Sequence, residues 1–508
     1  MRGSPPKKSL RTRGRQPQNR WIRPFLAFFL LGVATALGST PKPKPNVLIF
    51  LTDDQGWGDL GVQGAEDVAT PNLDSIARAG VRFSQGYVAA PVCSPSRAGL
   101  ITGRAPTRFG FEFNHAEADL APFGLPATEK TAGELFRAAG YATGHIGKWH
   151  LGNLRDPAQR AEGRGFDESL WFVGQNKLAP LFFFRHGGDD AGTAPDSPAG
   201  RRLAENLFPD EPAQRAALRQ AEDGYVDTAM AREASGFIQR HPDRPWFLYV
   251  ALLSPHTPLA FPPGSEAKFP DLKPNRQKCA AMLAEMDRSV GSVLEALRRT
   301  GQLDRTLVFF LSDNGGVRGN ASLNGPLRAM KGTLFEGGIR VPFLLQWPGG
   351  GIPAGKVVDA PVSALDILPT ALAAAGVKPQ DAPDFDGVNL LPYLRGETKE
   401  PPHEALCWRY GRQMAVRQGN WKLVRAAEKD PNVPGADPEK EATPPPRLHD
   451  LSADPGEQRD LSADQPDKVA ALQALWDQWD RLNLPARWHY NSPTGGKTAP
   501  GSAEGTDT

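Results

Sequence analysis

The chain has 508 residues, which is enough for about two domains and a large buried core. Its formal charge of +2 hides an asymmetry, because residues 1–36 carry eight Arg and Lys and no acidic residue. Without that segment, 51 basic residues face 57 acidic ones, a net charge of −6. This balance lacks the basic surface typical of nucleic-acid-binding proteins, so no nucleic-acid partner is expected.

The N-terminus has the pattern of an export signal. A basic region is followed by an apolar run from Pro24 to about Leu37, which is short for a membrane-spanning helix. Ala34-Thr35-Ala36 is typical of a cleavage site. We therefore predict a signal peptide over 1–36 and an extended proline-rich linker over 37–45. The protein should be periplasmic or secreted, with no stable membrane partner once the signal is cleaved; an uncleaved membrane anchor is the alternative.

Apolar runs then alternate with helical patterns. Asn46–Thr52 is apolar enough for a strand covered on both faces, and so are Trp246–Leu253 and Leu307–Leu311. Helical patterns lie at Asn72–Ala79, Thr131–Ala139, Val226–Gln239, Lys278–Arg299 and Asp366–Ala375. This alternation predicts an α/β domain over 46–375, with a mostly parallel sheet flanked by helices. Residues 153–222 lack a clear period, and we expect an insertion or long loops near the mouth of the site.

The composition shifts toward proline and short strands after that domain. Ala415–Arg417 and Trp421–Val424 predict a hairpin, and Lys468–Leu482 predicts a helix. These elements indicate a smaller C-terminal α+β domain with an antiparallel sheet over 376–490. The Gly/Ser/Thr-rich residues 491–508 are predicted to form a disordered tail.

The chain has three cysteines, too few for a disulfide scaffold in an exported protein of this size. Cys93 opens the string Cys93-Ser94-Pro95-Ser96-Arg97, in which Pro95 suits the first turn of a helix. A helix N-terminus beside a guanidinium suits an anion. The alternative is a buried, inert cysteine. If Cys93 has a chemical role, only Cys279 and Cys407 are left to pair, and whether they meet stays open.

Two acidic motifs follow predicted strands. Asp53 and Asp54 follow the first strand, and Asp313 and Asn314 follow the strand that ends near Leu311. Open α/β sheets bind ligands at the carboxyl ends of their strands. Three carboxylates and an amide match the ligands of a hard divalent cation, and without a cation at least one carboxylate would keep its proton. The alternative is that these residues cap helices or form turns.

Basic residues in three further segments suit an anion. Lys148 and His150 end a run that starts at Ala142, and in an extended chain their i, i+2 spacing would point both side chains to one side. His256 lies between two prolines just after a predicted strand. Lys331 lies in a glycine-rich segment. Taken singly, each is more typical of a surface lysine or a hydrogen-bonded histidine.

Together, these motifs resemble those of type I sulfatases, the formylglycine-dependent arylsulfatase family of the alkaline-phosphatase-like superfamily. They occur in the order seen in that family, and the likeness covers roughly residues 45–485. The motifs are Leu51–Leu60, Cys93–Arg104, Gly147–Gly152, Ser312–Gly316, Lys331–Thr333 and, in the C-terminal part, Leu448–Leu451 with Asp454–Glu457.

The resemblance implies the alkaline-phosphatase-like fold, two cofactors and one maturation partner. Asp53, Asp54, Asp313 and Asn314 would bind calcium, although the same residues fit magnesium. Cys93 would point at this metal after conversion to formylglycine. The partner that makes this modification would be a formylglycine-generating enzyme.

The resemblance also implies roles for the basic residues. Arg97 and Lys148 would hold and polarise the aldehyde hydrate, and His150 would take the proton that lets the sulfated hydrate collapse. Lys331 would grip the sulfate, and His256 would protonate the leaving oxygen. The implied function is hydrolysis of sulfate monoesters in a sulfated small molecule or, as we favour, a saccharide. Two alternatives are a phosphonate monoester or phosphodiester hydrolase with the same nucleophile, and a non-catalytic sulfated-glycan binder if Cys93 is unmodified.

Overall fold

The computed structural model describes residues 43–114, 123–152, 156–172, 181–186, 218–221, 224–378, 384–427 and 437–490. The predicted signal peptide, most of the predicted linker and the predicted tail over 491–508 lie outside these ranges. Within the described ranges, no helix is both long enough and apolar enough to cross a membrane.

The larger sheet has eleven strands among the described residues. They are β1 (Asn46–Asp53), β2 (Val81–Tyr87), β3 (Ala142–Gly147), β4 (Glu168–Phe172), β5 (Leu181–His186), β6 (Leu218–Ala221), β7 (Trp246–Pro255), β8 (Thr306–Ser312), β9 (Arg340–Gln346), β10 (Lys356–Val358) and β11 (Val362–Ser363). The spatial order is β10-β2-β9-β8-β1-β7-β3-β4-β5-β6, and β11 pairs with β2. The central strands β8, β1, β7, β3 and β4 are parallel, whereas β9, β5 and β6 run antiparallel to their neighbours.

Helices cover both faces of this sheet. They are α1 (Pro71–Ala79), α2 (Cys93–Thr102), α3 (Ala132–Ala138), α4 (Val226–Arg240), α5 (Pro274–Arg299), α6 (Glu336–Ile339), α7 (Ile367–Ala374) and α8 (Leu391–Leu394). All eight residues of β1 are buried, and alternate side chains enter two cores. One core contains Val47 with α2, α3 and α7, and the other contains Leu48 with α1, α4 and α5. This two-sided cover explains why β1 is apolar throughout.

A second sheet has the antiparallel order β12 (Leu406–Tyr410), β13 (Gln413–Gln418), β14 (Trp421–Arg425) and β15 (Arg447–Asp450). The predicted hairpin is therefore confirmed, with β13 paired to β14. One face of this sheet packs on α9 (Pro466–Asp480) through Leu472. The other face shares a core with α2, because Trp408 and Ala415 belong to that same apolar cluster.

The structure revises the expectation for residues 153–222 and answers the open question of cysteine pairing. The described parts of 153–222 include β4, β5 and β6, which extend the larger sheet at one edge instead of forming only loops. Short antiparallel edge strands lack the long apolar runs of the centre, so the sequence pattern missed them. All three cysteines are free: Cys279 lies on α5 and enters the core under the larger sheet, whereas Cys407 lies on β12 and packs in the cluster between the smaller sheet and α9.

Candidate active site

Four acidic or thiol side chains converge at the carboxyl end of the larger sheet. β1 and β8 are adjacent and parallel, so Asp53 and Asp54 meet Asp313 where the two strands end. Cys93 is the first residue of α2. One ligand atom from each of these four buried residues lies within 4.8 Å of the others. The predicted juxtaposition of the two strand ends with Cys93 is therefore present.

Three cations accompany these groups. Arg97 follows Cys93 by one helical turn, so the two side chains share a face of α2. Its guanidinium is fully buried and donates two hydrogen bonds, of 3.0 and 2.7 Å, to Oδ2 of Asp313. Lys148 Nζ lies 2.8 Å from Oδ2 of Asp53.

Lys331 reaches the same cluster from the glycine-rich segment before α6. Its Nζ lies 2.6 Å from Oδ1 of Asp54 and 3.1 Å from Sγ of Cys93. Each of the three carboxylates thus has a cationic partner of its own. Removal of one partner from a buried pair of this kind would leave an uncompensated buried charge, which is costly.

The carboxylates are electrostatically unequal. Burial alone would raise the pKa of Asp53, but the charges of Lys148, His256 and Arg97 hold it well below its usual range. Burial and the neighbouring Asp53 charge raise the pKa of Asp313 to about 6. Burial and Asp313 also raise the pKa of the Cys93 thiol. An unmodified Cys93 is therefore held as a thiol, which is a poor nucleophile.

The oxygen donors fit a hard divalent cation. Oδ1 of Asn314 is buried and has no hydrogen-bond partner in the described part of the chain. Nδ2 of the same residue donates to Oδ1 of Asp54 at 2.8 Å, which places the amide against the carboxylates. Buried polar atoms are rarely left unpartnered, and amide and carboxylate oxygens are typical ligands of calcium and magnesium.

His256 stands directly after β7. Its Nδ1 contacts the backbone oxygen of Thr257, which can only accept, so Nδ1 carries the hydrogen. Nε2 therefore faces the site, 3.6 Å from Oδ2 of Asp54. Burial lowers the pKa of His256, while the charges of Asp53 and Asp54 oppose that shift.

The backbone at Lys148 and His150 differs from the expectation. β3 ends at Gly147, and His150 adopts a left-handed φ of 55°. The extended chain predicted for these residues is therefore wrong, because the backbone turns directly after the strand. Lys148 nevertheless reaches Asp53, and His150 is half-buried in the following turn.

The sulfatase family model matches residues 45–377, more than half of the chain. The chain belongs to the sulfatase family. Arylsulfatase A of Bos taurus is 37% identical over 470 residues, which cover 88% of this chain and 90% of the relative. N-acetylgalactosamine-6-sulfatase of Homo sapiens is 33% identical over 511 residues, which cover 93% and 92%.

Solved structures agree with this membership. Ps i-CgsB, crystallised in complex with k-i-k-neocarrahexaose, matches with a TM-score of 0.74 and 32% identity, over 88% of this chain and 95% of that one. The fold is the expected alkaline-phosphatase-like α/β fold with a smaller antiparallel sheet. This sulfatase is a sulfuric ester hydrolase, and hydrolysis of sulfate esters is its activity.

Sequence reasoning missed the residue that holds the Lys331 segment. Gln413 of β13 is buried, and its Nε2 donates to the backbone oxygen of Gly332 at 2.9 Å. Its Oε1 accepts the backbone N–H of Leu334 at 3.2 Å. The smaller sheet thus clamps the backbone directly after Lys331. No motif marks Gln413, because it recognises only main-chain groups that lie far away in sequence.

A buried ion network also connects the smaller sheet to the sulfatase site. Lys422 Nζ lies 2.9 Å from both Oε1 of Glu336 and Oε1 of Glu457. Oε2 of Glu457 accepts the backbone N–H of Glu336 at 2.7 Å, at the start of α6. Glu457 belongs to the C-terminal motif that the sequence singled out, so this motif stabilises the segment that follows Lys331.

The loop after β1 has its own support. Asp59 is fully buried, and its two carboxylate oxygens accept the backbone N–H groups of Gly56 at 2.9 Å and Leu323 at 3.1 Å. Arg276 Nη1 lies 2.8 Å from Asp59 Oδ1 and neutralises it. Asp59 lies within the Leu51–Leu60 motif, and this motif is the signal that could have identified it.

Proposed function

We propose that this sulfatase hydrolyses sulfate monoesters on carbohydrates, with a formylglycine made from Cys93 as nucleophile and a calcium ion at the carboxylates. The observation that carries the proposal is the position of Cys93, with Sγ 3.4 Å from Asp53 and 3.1 Å from Lys331. A thiol with a raised pKa is ill suited to attack sulfur, so the position calls for a different functional group. The intact Cys93–Arg97 string supports recognition by a formylglycine-generating enzyme.

Asp53, Asp54, Asp313 and Asn314 would hold the metal. The buried, unpartnered Oδ1 of Asn314 supports this assignment, since a cation would satisfy it. When bound, the cation would neutralise the carboxylates and stabilise negative charge on sulfate oxygens. The oxygen donors fit magnesium as well, and we favour calcium from the family resemblance.

Formylglycine would supply a hydrated aldehyde, in which one hydroxyl attacks and the second allows sulfate to depart. Arg97 and Lys148 would orient this side chain, because both lie against the carboxylates that surround residue 93. Lys331 would bind a non-bridging sulfate oxygen with its fixed charge. His150 would accept the proton of the second hydroxyl, which lets the sulfated hydrate collapse to the aldehyde.

His256, protonated at both ring nitrogens, would donate the Nε2 proton to the leaving oxygen as the S–O bond breaks, and the charges of Asp53 and Asp54 favour that protonated form. The Nδ1–H contact with the Thr257 oxygen supports this role, because it leaves Nε2 as the atom that faces the site. The net reaction adds water across the S–O bond and yields an alcohol and inorganic sulfate. A sugar alkoxide is a poor leaving group, so the need for this proton is large.

The carbohydrate substrate is supported by the relatives. One is an N-acetylgalactosamine-6-sulfatase, and another, Ps i-CgsB, was crystallised with k-i-k-neocarrahexaose. We further propose that residues 1–36 direct export, which would bring the enzyme to extracellular or periplasmic glycans. N-terminal sequencing of the mature protein tests this: a start near residue 37 is expected, and an intact N-terminus in the exported protein would contradict it.

An activity panel tests the function. Protein whose Cys93 conversion has been measured is assayed on defined sulfated saccharides, a nitrophenyl sulfate and a phosphonate monoester, with Cys93→Ala as control. We expect the converted protein to turn over at least one sulfated saccharide and the aryl sulfate. The Cys93→Ala variant should turn over neither. Preference for the phosphonate would contradict the proposed substrate, and binding of saccharides with no turnover would contradict catalysis.

A further inference from the structure

A buried asparagine bridges the two loops that carry Asp54 and His256. Asn320 is fully buried in the turn that follows β8. Its Nδ2 donates to the backbone oxygen of Asp54 at 3.0 Å and to that of Pro255 at 3.2 Å. Its Oδ1 accepts the backbone N–H of Ser322 at 3.0 Å. The amide therefore uses both its donor hydrogens and its oxygen on main-chain groups.

Both bridged carbonyls belong to residues at the reacting centre or next to it. Asp54 has a left-handed φ of 63°, a conformation that a non-glycine residue keeps only with support from its surroundings. Pro255 directly precedes His256, whose Nε2 lies 3.6 Å from Oδ2 of Asp54. Strand pairing places Asp53 opposite Pro255, and Asn320 adds a side-chain tie just beyond that pair, between Asp54 and the residue before the proposed acid.

We propose that Asn320 is a positioning residue that aligns His256 with the leaving oxygen by tying its loop to Asp54. The inference rests on the proposed role of His256 as the proton donor. Proton transfer needs the donor within hydrogen-bond reach of the leaving oxygen, and small displacements of a reacting group are costly. A residue with only a structural role would slow every substrate alike.

Ser322 offers a matched control. Its Oγ also donates to the backbone oxygen of Asp54, at 3.0 Å, but Asn320 alone links Asp54 to Pro255 among the contacts described. Ser322→Ala therefore loosens the Asp54 loop and leaves the tie to the His256 loop in place. Asn320→Ala removes both ties.

The experiment measures how the rate depends on the leaving group. kcat/KM is determined for aryl sulfates of increasing phenol pKa and for a sulfated sugar, with rates normalised to Cys93 conversion. The variants are Asn320→Ala, Ser322→Ala, His256→Ala and the double variant of Asn320 and His256. Asn320→Ser, too short to span both carbonyls, replaces Asn320→Ala if that variant fails to fold.

We expect Asn320→Ala to lose roughly tenfold more activity on the sulfated sugar than on a nitrophenyl sulfate. The dependence of kcat/KM on the leaving-group pKa thus becomes steeper, as it should in His256→Ala. Ser322→Ala should lower kcat/KM for all substrates by a common factor. In the double variant, kcat/KM should depend on the leaving-group pKa no more steeply than in His256→Ala. A steep His256→Ala series with an unchanged slope in the Asn320 variants would overturn this inference alone. An unchanged slope in His256→Ala would overturn the proposed acid and this inference with it.

Discussion

The ammonium of Lys331 lies 3.1 Å from the sulfur of Cys93, and the two are brought together by backbone contacts on both sides of the lysine. The Lys331 N–H donates to the oxygen of Gly316 in the loop after β8, and the next N–H, of Gly332, donates to Pro91 just before α2. Burial would lower the pKa of Lys331, but Asp54 holds it well above its usual value. The residue is therefore a fixed positive charge beside Cys93.

Removal of this charge should slow the reaction more than it weakens folding. We expect Lys331→Met to lower kcat/KM by about 10²–10³, because a preorganised charge at a developing anion contributes that much. Lys331→Arg, which keeps the charge, should retain more activity than the Met variant. Steady-state kinetics at equal Cys93 conversion decides between them, and equal rates for Lys331→Met and wild type would contradict the role in sulfate binding.

The metal site should be visible as a stability effect. Asp53→Ala and Asp313→Ala should each abolish activity and the rise in Tm on adding calcium, because a ligand that binds only the folded state stabilises it by mass action. At a roughly 100-fold excess over Kd that gain is about 2.7 kcal/mol. Asp304→Ala, which removes an exposed carboxylate, serves as control. Unchanged metal content in either site variant would show that these residues only form turns.

The clamp on the Lys331 segment should affect sulfate binding from the neighbouring sheet. Gln413→Leu removes the bonds to Gly332 and Leu334 while keeping the volume. We expect weaker inhibition by inorganic sulfate and a higher KM, with a smaller change in kcat. Gln418→Leu in the same strand is the control. If both variants bind sulfate like wild type, the smaller sheet does not position Lys331.

The network around Lys422 predicts a pH dependence of stability. Burial raises the pKa of Glu457 to about 7, above its unfolded value of about 4.5. For Glu336, the charges of Lys422, Arg340 and Arg417 overcome burial and lower the pKa to about 2. The folded state thus binds the Glu457 proton more tightly. The stability that the protonated Glu457 contributes to the folded state is fully present below pH about 4.5 and is lost as the pH rises through about 7.

Glu457→Gln should therefore lose less stability than wild type between pH about 5 and about 8, whatever its stability at the lower pH. Denaturant unfolding at several pH values measures this difference, with Glu397→Gln, at an exposed position, as control. Parallel pH profiles for wild type and Glu457→Gln would show that Glu457 does not titrate in this range.

The sequence was sufficient for the groups that lie at strand ends. Asp53 and Asp313 follow apolar runs, and parallel strands bring such positions to one edge. Cys93 and Arg97 could be placed together because one helical turn separates them. These inferences work since both patterns are local and their geometry is regular.

The supporting residues could not be found in this way. Asn320 and Gln413 bind backbone groups of Asp54 and Gly332, which lie 266 and 81 positions away in sequence. A contact with a carbonyl imposes no side-chain pattern on its partner. The turn at His150 was missed for a related reason, since a left-handed residue three positions after the end of a strand leaves no periodic signal.

Cys93 should act only after conversion to formylglycine. Mass spectrometry of the tryptic peptide 83–97, which ends at Arg97, measures the converted fraction in preparations from hosts with and without a formylglycine-generating enzyme. We expect sulfatase activity to rise in proportion to that fraction and to vanish in Cys93→Ala. Full activity in a preparation whose peptide carries only the unmodified thiol would contradict it.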